Sequence, residues 1–204
     1  MTLHYAPGTI SIATAIALFD ADLPFKAIKV DFGSGEQTRP AYHRINPKGR
    51  VPALETGQGI LTETGALLEY VAATAPEAGL VPQSVVEAAR MREVMYYLAS
   101  TMHVNHAHRM RGSRWATRQE SFDDMAAKVP ETMAESAAHI EAHGLAGPYV
   151  LGDAFSIADP YLFVICNWLG GDGVDTSAFP RISAFMDAMN ARTSVQKARA
   201  KGMI

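Results

Sequence analysis

The chain has 204 residues, 48% of them apolar and 19% charged, which excludes a disordered protein. Eighteen Lys and Arg against 21 Asp and Glu give a net charge of −3, so non-specific nucleic-acid binding is not expected as its main task. A single cysteine, Cys166, excludes an internal disulfide and any metal site built from several cysteines.

The N-terminus MTLHYAPGT has no basic region and no long apolar run, so no signal peptide is expected. Leu3–Tyr5 reads as a short strand ended by the Pro7-Gly8 turn. Ile12, Ala15, Ile16 and Phe19 follow at helical spacing and predict one buried helix face. Phe25–Phe32 reads as a second strand, Gly33–Arg39 as a polar loop, and Pro40–Ile45 as a short helix stopped by Asn46-Pro47-Lys48-Gly49. Val51–Glu55 and Ile60–Thr62 flank Thr56-Gly57-Gln58-Gly59, a β-hairpin signal. Leu67, Tyr70, Val71 and Thr74 mark a helix that ends before Pro76. The order βαβαββα implies a mixed four-stranded sheet with helices on its faces, a thioredoxin-like α/β domain over residues 1–76.

Residues 77–86 read as a linker and 87–204 as an all-helical domain. Its apolar stripes are Met91, Val94, Met95, Leu98, Met102; then Met125, Val129, Met133, Ala137, Ile140. A third runs from Ile157 through Tyr161, Val164, Ile165 and Trp168 to Leu169, and a fourth contains Ile182, Phe185, Met186 and Met189. The longest apolar stretch, Tyr161–Cys166, is too short to cross a bilayer. A soluble, cytoplasmic protein with no membrane or nucleic-acid partner is expected.

Three segments suggest chemistry. Pro52 at the start of a strand suggests a sheet edge or a cis bond, because proline cannot donate to the ladder. The Val51 backbone would then be open to an extended peptide. Taken alone, this is more simply a proline that begins a strand. Glu63-Thr64-Gly65-Ala66 opens a helix, where free N–H groups and a hydroxyl suit a carboxylate and Glu63 suits an ammonium. Taken alone, Thr64 is more simply an N-cap. Thr9 and Ser11 at the first helix start put hydroxyls where a thiolate would be favoured, lowering a thiol pKa from about 8.5 toward about 6–7. Helix capping is the simpler account of each by itself.

Together these segments resemble a glutathione transferase of the cytosolic type along the whole chain. The residues that carry the resemblance are Tyr5-Ala6-Pro7-Gly8, Asn46–Leu54, Leu61-Thr62-Glu63-Thr64 and Gly152–Asp159. The N-terminal half is most similar to bacterial beta-class members. The resemblance implies glutathione as co-substrate, no other cofactor and no metal. It also implies a small electrophile and a homodimer. Glutathione is expected along the edge at Val51 and Pro52, with its γ-glutamyl carboxylate at Thr64 and its amino group at Glu63. Lys48 or Arg50 is expected to neutralise its glycyl carboxylate.

The beta-class cysteine position holds Ile10, so the flanking hydroxyls are the candidates for the thiol, Ser11 first and Thr9 second. Ser11-Ile12-Ala13-Thr14 loosely resembles the phi-class serine motif, with Ala15 in place of its arginine; nu-class members use a threonine near Thr9. His103 matches the beta-class histidine that serves the thiol site, with Val104 replacing the following lysine. Met102, His106, Met110 and Trp115 are candidate walls for the second substrate. A metal on His103, His106 and His108 is disfavoured, because no carboxylate or cysteine is near in sequence. Arg109, Arg111 and Arg114 read as a solvated face before an anion site. Ser156 and Asp159 read as a capping box, and Cys166 as a buried structural thiol. Glutathione-dependent disulfide or isomerase chemistry is the alternative on the same site, and a non-catalytic binding module is the alternative from another class.

Overall fold

A computed structural model describes residues 1–204. Four short strands, β1 (Thr2–Tyr5), β2 (Lys26–Lys29), β3 (Ala53–Thr56) and β4 (Gly59–Thr62), form one sheet in the order β2-β1-β3-β4. β1 and β2 are parallel, with Thr2 opposite Lys26 and Tyr5 opposite Lys29. β1 pairs antiparallel with β3, and β3 with β4 across Gly57-Gln58. This is the mixed four-stranded sheet expected from the sequence. β3 is flanked on both sides, so of the two expectations at Pro52, a sheet edge or a cis bond, it is the cis bond that is found, between Val51 and Pro52. Pro52 lies just before β3, beyond the last β1 pairing of His4 with Ala53.

Helix α1 (Ser11–Asp20) links β1 to β2, and α2 (Pro40–His43) precedes β3. Helix α3 (Thr64–Thr74) follows β4 directly. Every residue of α1 from Ser11 to Leu18 is buried, not one face only. The reason is that α1 packs on β1, on α3 and on α9 (Thr193–Ala200), so it has no solvent side over that length. A smaller apolar cluster of Ala6, Val30, Tyr42 and Val51, with Phe32 and Ile45 against it, seats α2 and the loop that follows.

The chain divides into two units, Met1–Gln83 with Met189–Ile204, and Ser84–Ala188. The sequence expectation of one helical domain from 87 to 204 therefore differs at its end. α9 closes on the first unit because Arg192 pairs with Asp20 at 2.6 Å and the Gly8 N–H donates to the Met203 carbonyl at 2.9 Å.

The second unit contains α4 (Val85–Tyr97), α5 (His103–Arg111), α6 (Gln119–His139) and α7 (Ala158–Cys166). Helix α8 (Pro180–Ala191) carries the chain back to the first unit. A π-helical turn, Leu98–Met102, joins α4 to α5. α7 is buried along its whole length, as a helix apolar on most of its circumference should be. Ser156 and Asp159 secure its start. The Ser156 N–H and hydroxyl both donate to Asp159 Oδ2, at 2.6 and 3.0 Å, and the Val150 N–H donates to Oδ1 at 2.8 Å. The serine hydroxyl accepts from Ala158 N–H rather than from Asp159 N–H, one residue earlier than the expected box. Glu141 caps α8 by accepting from the Arg181 and Ile182 N–H groups. No helix is long and apolar enough to cross a membrane.

Candidate active site

In the first unit the segment from Asn46 to Pro52 is held from inside. Asn46 is buried; its Nδ2 donates to the Arg50 carbonyl at 2.6 Å and its Oδ1 accepts from the Lys48 N–H at 3.1 Å. The Tyr42 hydroxyl donates to the same Arg50 carbonyl at 2.8 Å. Burial first, and the Glu36 charge second, push the Tyr42 phenol up to about 12, so it stays a donor. Gly49 closes the turn at φ +62°, with the Gln37 carbonyl 3.0 Å from where a Cβ would stand. A side chain there is strained and crowded at once.

This clamp ends at Val51. Neither the N–H nor the C=O of Val51 is hydrogen-bonded within the chain, and the Val51–Pro52 bond is cis. Asn46 opens the Asn46–Leu54 segment that carries the resemblance, but the sequence assigns it no role of its own, and it does not single out Tyr42. The Asn-Pro-x-Gly turn was the one available signal for Asn46.

At the start of α3, Glu63 is the N-cap and sits at φ +74°, a left-handed conformation costly for a residue with a Cβ. Thr64 is the first helical residue and is buried; no side chain caps this helix, so Thr64 is not the N-cap. Lys48 Nζ reaches across to Glu63 Oε1 at 2.5 Å and to Thr62 Oγ1 at 2.7 Å. The expected ammonium at Glu63 is thus met within the chain by Lys48. Arg50 has an exposed side chain that makes no ion pair within the chain.

At the start of α1 the N-cap is Ile10, buried, with no side-chain cap. Ser11 is fully buried; its Oγ accepts from the Ala6 N–H at 3.2 Å and lies 2.7 Å from Thr9 Oγ1. Thr9 is half-buried and donates to the Ala6 carbonyl at 2.8 Å. The backbone N–H groups of Ile10 and Ser11 have no acceptor in the chain. The expected order of the two hydroxyls is therefore reversed on exposure. Ser11 braces the turn from within, while Thr9 keeps an open side.

In the second unit His103 begins α5 directly after the π-helical turn, with its ring 5.2 Å from that of Trp168. His106 stacks on the same indole at 4.0 Å, and its Nδ1 lies 2.7 Å from Asp172 Oδ2. Arg109 Nη1 donates to Asp172 Oδ1 at 3.3 Å, so one arginine of the expected solvated face is tied down. Asp172 was not found from sequence, because it follows His106 by 66 residues. Met102 is fully buried and offers no wall to a small molecule. Met110 is 73% exposed and Trp115 47%, the latter edge-on to His108. No three His, Cys, Asp or Glu side chains gather as a metal site. Burial pushes the Cys166 thiol up to about 12.

The family pattern described as Glutathione S-transferase, N-terminal domain, matches residues 1–73, and that of the C-terminal domain matches residues 116–188. Glutathione S-transferase GST-4.5 of Xanthomonas campestris pv. campestris is 31% identical over the full length of both chains. The chain belongs to the glutathione S-transferase family. Glutathione S-transferase GstA of Escherichia coli O157:H7 is 28% identical over 97% of this chain and 96% of its own. Among solved structures, a glutathione transferase homologue from Sulfitobacter with bound glutathione is 63% identical over 100% of this chain and 98% of its own, at a TM-score of 0.98. A sphingomonad glutathione S-transferase complexed with glutathione matches at 31% identity and a TM-score of 0.85, covering all of both chains. In this transferase the segments 5–11, 46–54 and 61–64, singled out by resemblance, all fall in the first unit.

Proposed function

We propose that the chain binds glutathione in its first unit, stabilises the thiolate and transfers it to a small electrophile. The observation that carries this reading is the unpaired backbone of Val51, held still by Asn46 and Tyr42 in the same unit as the open start of α3. An extended peptide needs such a backbone donor and acceptor. Its γ-glutamyl carboxylate suits Thr64 and the free N–H groups of α3, and its amino group suits the second carboxylate oxygen of Glu63, since Lys48 takes only Oε1. The Sulfitobacter homologue, solved with glutathione, supports the same reading by its similarity.

The geometry refines two roles. Arg50 is the better partner for the glycyl carboxylate, because Lys48 is already engaged by Glu63 and Thr62. Thr9 is the better hydroxyl for the thiol, because Ser11 has no exposed surface. Thr9 would turn its proton from the Ala6 carbonyl to the sulfur, with the Ile10 and Ser11 N–H groups adding to the field. A thiol pKa near 7 would leave about half of the bound glutathione ionised at neutral pH, against a few per cent when free.

An enzyme thiol plays no part, since Ile10 replaces the cysteine and Cys166 is buried and protonated. We assign the electrophile to side chains of the helical unit, His103, His106, Met110 and Trp115 among them. We also propose a homodimer, for which the exposed Val85, Val86 and Tyr96 of α4 supply apolar surface. The test is calorimetric titration with glutathione, together with thiolate absorbance against pH. Saturable binding with a depressed thiol pKa is expected. Binding without a depressed pKa would leave a glutathione-binding module and not a transferase.

A further inference from the structure

The turn that carries Thr9 is tied to the turn after α9, within the first unit. Pro7 and Gly8 stand between Ala6 and Thr9, and the Thr9 N–H closes the turn on the Ala6 carbonyl at 3.3 Å. Gly8 sits at φ +68°. Proline second and a left-handed glycine third mark a type II turn. Turning over its central peptide, the one between Pro7 and Gly8, converts it to type I, and glycine adopts the third position of either. The Gly8 N–H belongs to that peptide and donates to the Met203 carbonyl at 2.9 Å. In the overturned form the Pro7 carbonyl would face the Met203 carbonyl, and two acceptors cannot bond. Met203 therefore selects one of the two orientations.

Met203 is brought there by its own local sequence. Gly202 follows α9 at φ +64°. Its N–H donates to the Arg199 carbonyl at 2.8 Å, and the Met203 N–H donates to the Ala198 carbonyl at 3.0 Å. This pair of bonds is the Schellman close of a helix, which puts a left-handed residue where Gly202 stands. Met203 itself is buried. At the other end of α9, Arg192 is bonded to Asp20 at 2.6 Å.

Met203 is thus a fixed point, whereas Gly8 is exposed. An exposed amide exchanges a carbonyl for water at small net cost, so this bond adds little to stability. What it adds is direction, at the residue next to Thr9.

We infer that Met203 is a positioning residue for the thiol site: through the Gly8 peptide it holds the turn in the form that presents Thr9 to the glutathione sulfur. This rests on the reading that Thr9 serves the thiol of bound glutathione. The test reads that thiol's pKa by thiolate absorbance in the full-length chain and its variants. Gly202→Val puts a β-branched residue at a left-handed φ, which moves the Met203 carbonyl by backbone strain alone, since a Cβ there meets nothing within 4 Å. The thiol pKa rises about halfway back to its free value of about 8.5, and glutathione affinity stays within about threefold. Gly202→Asn, which tolerates the left-handed form, keeps the low pKa. In a Thr9→Ala chain Gly202→Val changes nothing further, because both act on one hydrogen bond. A low pKa kept in folded Gly202→Val, or an equal rise with and without Thr9, overturns the inference. An ordinary thiol pKa in the unsubstituted chain is instead the failure of the transferase reading, and takes this inference with it.

Amide hydrogen exchange of the unsubstituted protein decides the matter even where Gly202→Val does not fold. Coupling between two sites is reciprocal. A docked Met203 that favours the bound thiolate is itself favoured by it. At about pH 8, saturating glutathione therefore slows exchange of the Gly8 and Met203 amides about fivefold more than S-methylglutathione, which has no thiol proton to lose. Equal slowing by the two ligands, or none by either, overturns the inference and leaves the bond a structural tie.

Discussion

The Oγ of Ser11 stands 2.7 Å from the Oγ1 of Thr9, and only the threonine of this pair has an open side. One proton from each hydroxyl is available. Thr9 gives its own to the Ala6 carbonyl, and Ser11 accepts from the Ala6 N–H, so the two hydroxyls stitch the Pro-Gly turn to α1. Thr9→Ala should bring the pKa of bound glutathione back toward about 8.5 and lower kcat/KM about tenfold. Thr9→Ser should keep most of both. Ser11→Ala should act on stability first, costing about 1–2 kcal/mol, because the buried Ala6 N–H loses its acceptor. Thiolate absorbance and denaturant unfolding of the three variants separate the roles; an unchanged thiol pKa in Thr9→Ala would remove Thr9 from the site.

A second expectation concerns the loop before Pro52. Asn46 is 1% exposed and bonds to both ends of the segment that presents Val51. Asn46→Ala leaves the Lys48 N–H without its partner, and the Arg50 carbonyl with Tyr42 alone. A loss of about 1–3 kcal/mol in unfolding free energy is expected, with glutathione affinity weakened about tenfold as Val51 loosens. Calorimetry at a temperature well below unfolding checks the affinity. Unchanged binding in a folded variant would show that the clamp does not serve the ligand.

How far the sequence carries can be judged residue by residue. The element order and the hairpin are legible because each rests on local period or turn chemistry, as with Gly57-Gln58 between β3 and β4. Long-range partners leave no local mark. Asp172 closes on His106 from 66 residues away, and Arg192 reaches Asp20 across 172. For the same reason α9 could not be assigned to the first unit from its own residues. Met102 shows a different limit. Helical spacing puts it on the same stripe as Met91 and Met95, but only packing reveals that no surface remains. Resemblance puts Ser11 ahead of Thr9, but it carries no information on burial, and Ser11 is buried while Thr9 is only half-buried.

Asp159 offers a test of structure alone. Its carboxylate is fully buried and accepts from the Ser156 N–H, the Ser156 hydroxyl and the Val150 N–H. Asp159→Ala orphans the donors of two segments at the start of the most buried helix. A destabilisation of about 2–4 kcal/mol is expected, above that of losing a simple cap. Asp159→Asn should recover part of it, since one amide oxygen still accepts. Urea unfolding of both variants measures this; a loss under about 1 kcal/mol in Asp159→Ala would mean that neighbours refill the site.

Two groups set the behaviour at high pH. Burial raises the Cys166 thiol from 9.0 to about 12, and burial with the Glu36 charge raises the Tyr42 phenol from 10.0 to about 12. Both are acids whose folded pKa exceeds the unfolded value. Above pH 9 the unfolded chain therefore releases the thiol proton while the folded chain keeps it, so stability falls as pH rises. The thiol acts between pH 9 and about 12, and the phenol joins above pH 10. At pH 10 the thiol alone should cost about 1.4 kcal/mol. Cys166→Ala removes that contribution and adds only a constant packing loss. Unfolding free energies at pH 8, 9 and 10 should therefore converge between wild type and variant by about 1 kcal/mol. Parallel curves would show that the thiol is not held protonated by the fold. Native Cys166 should also resist thiol reagents until the protein unfolds, as a protonated and buried sulfur must.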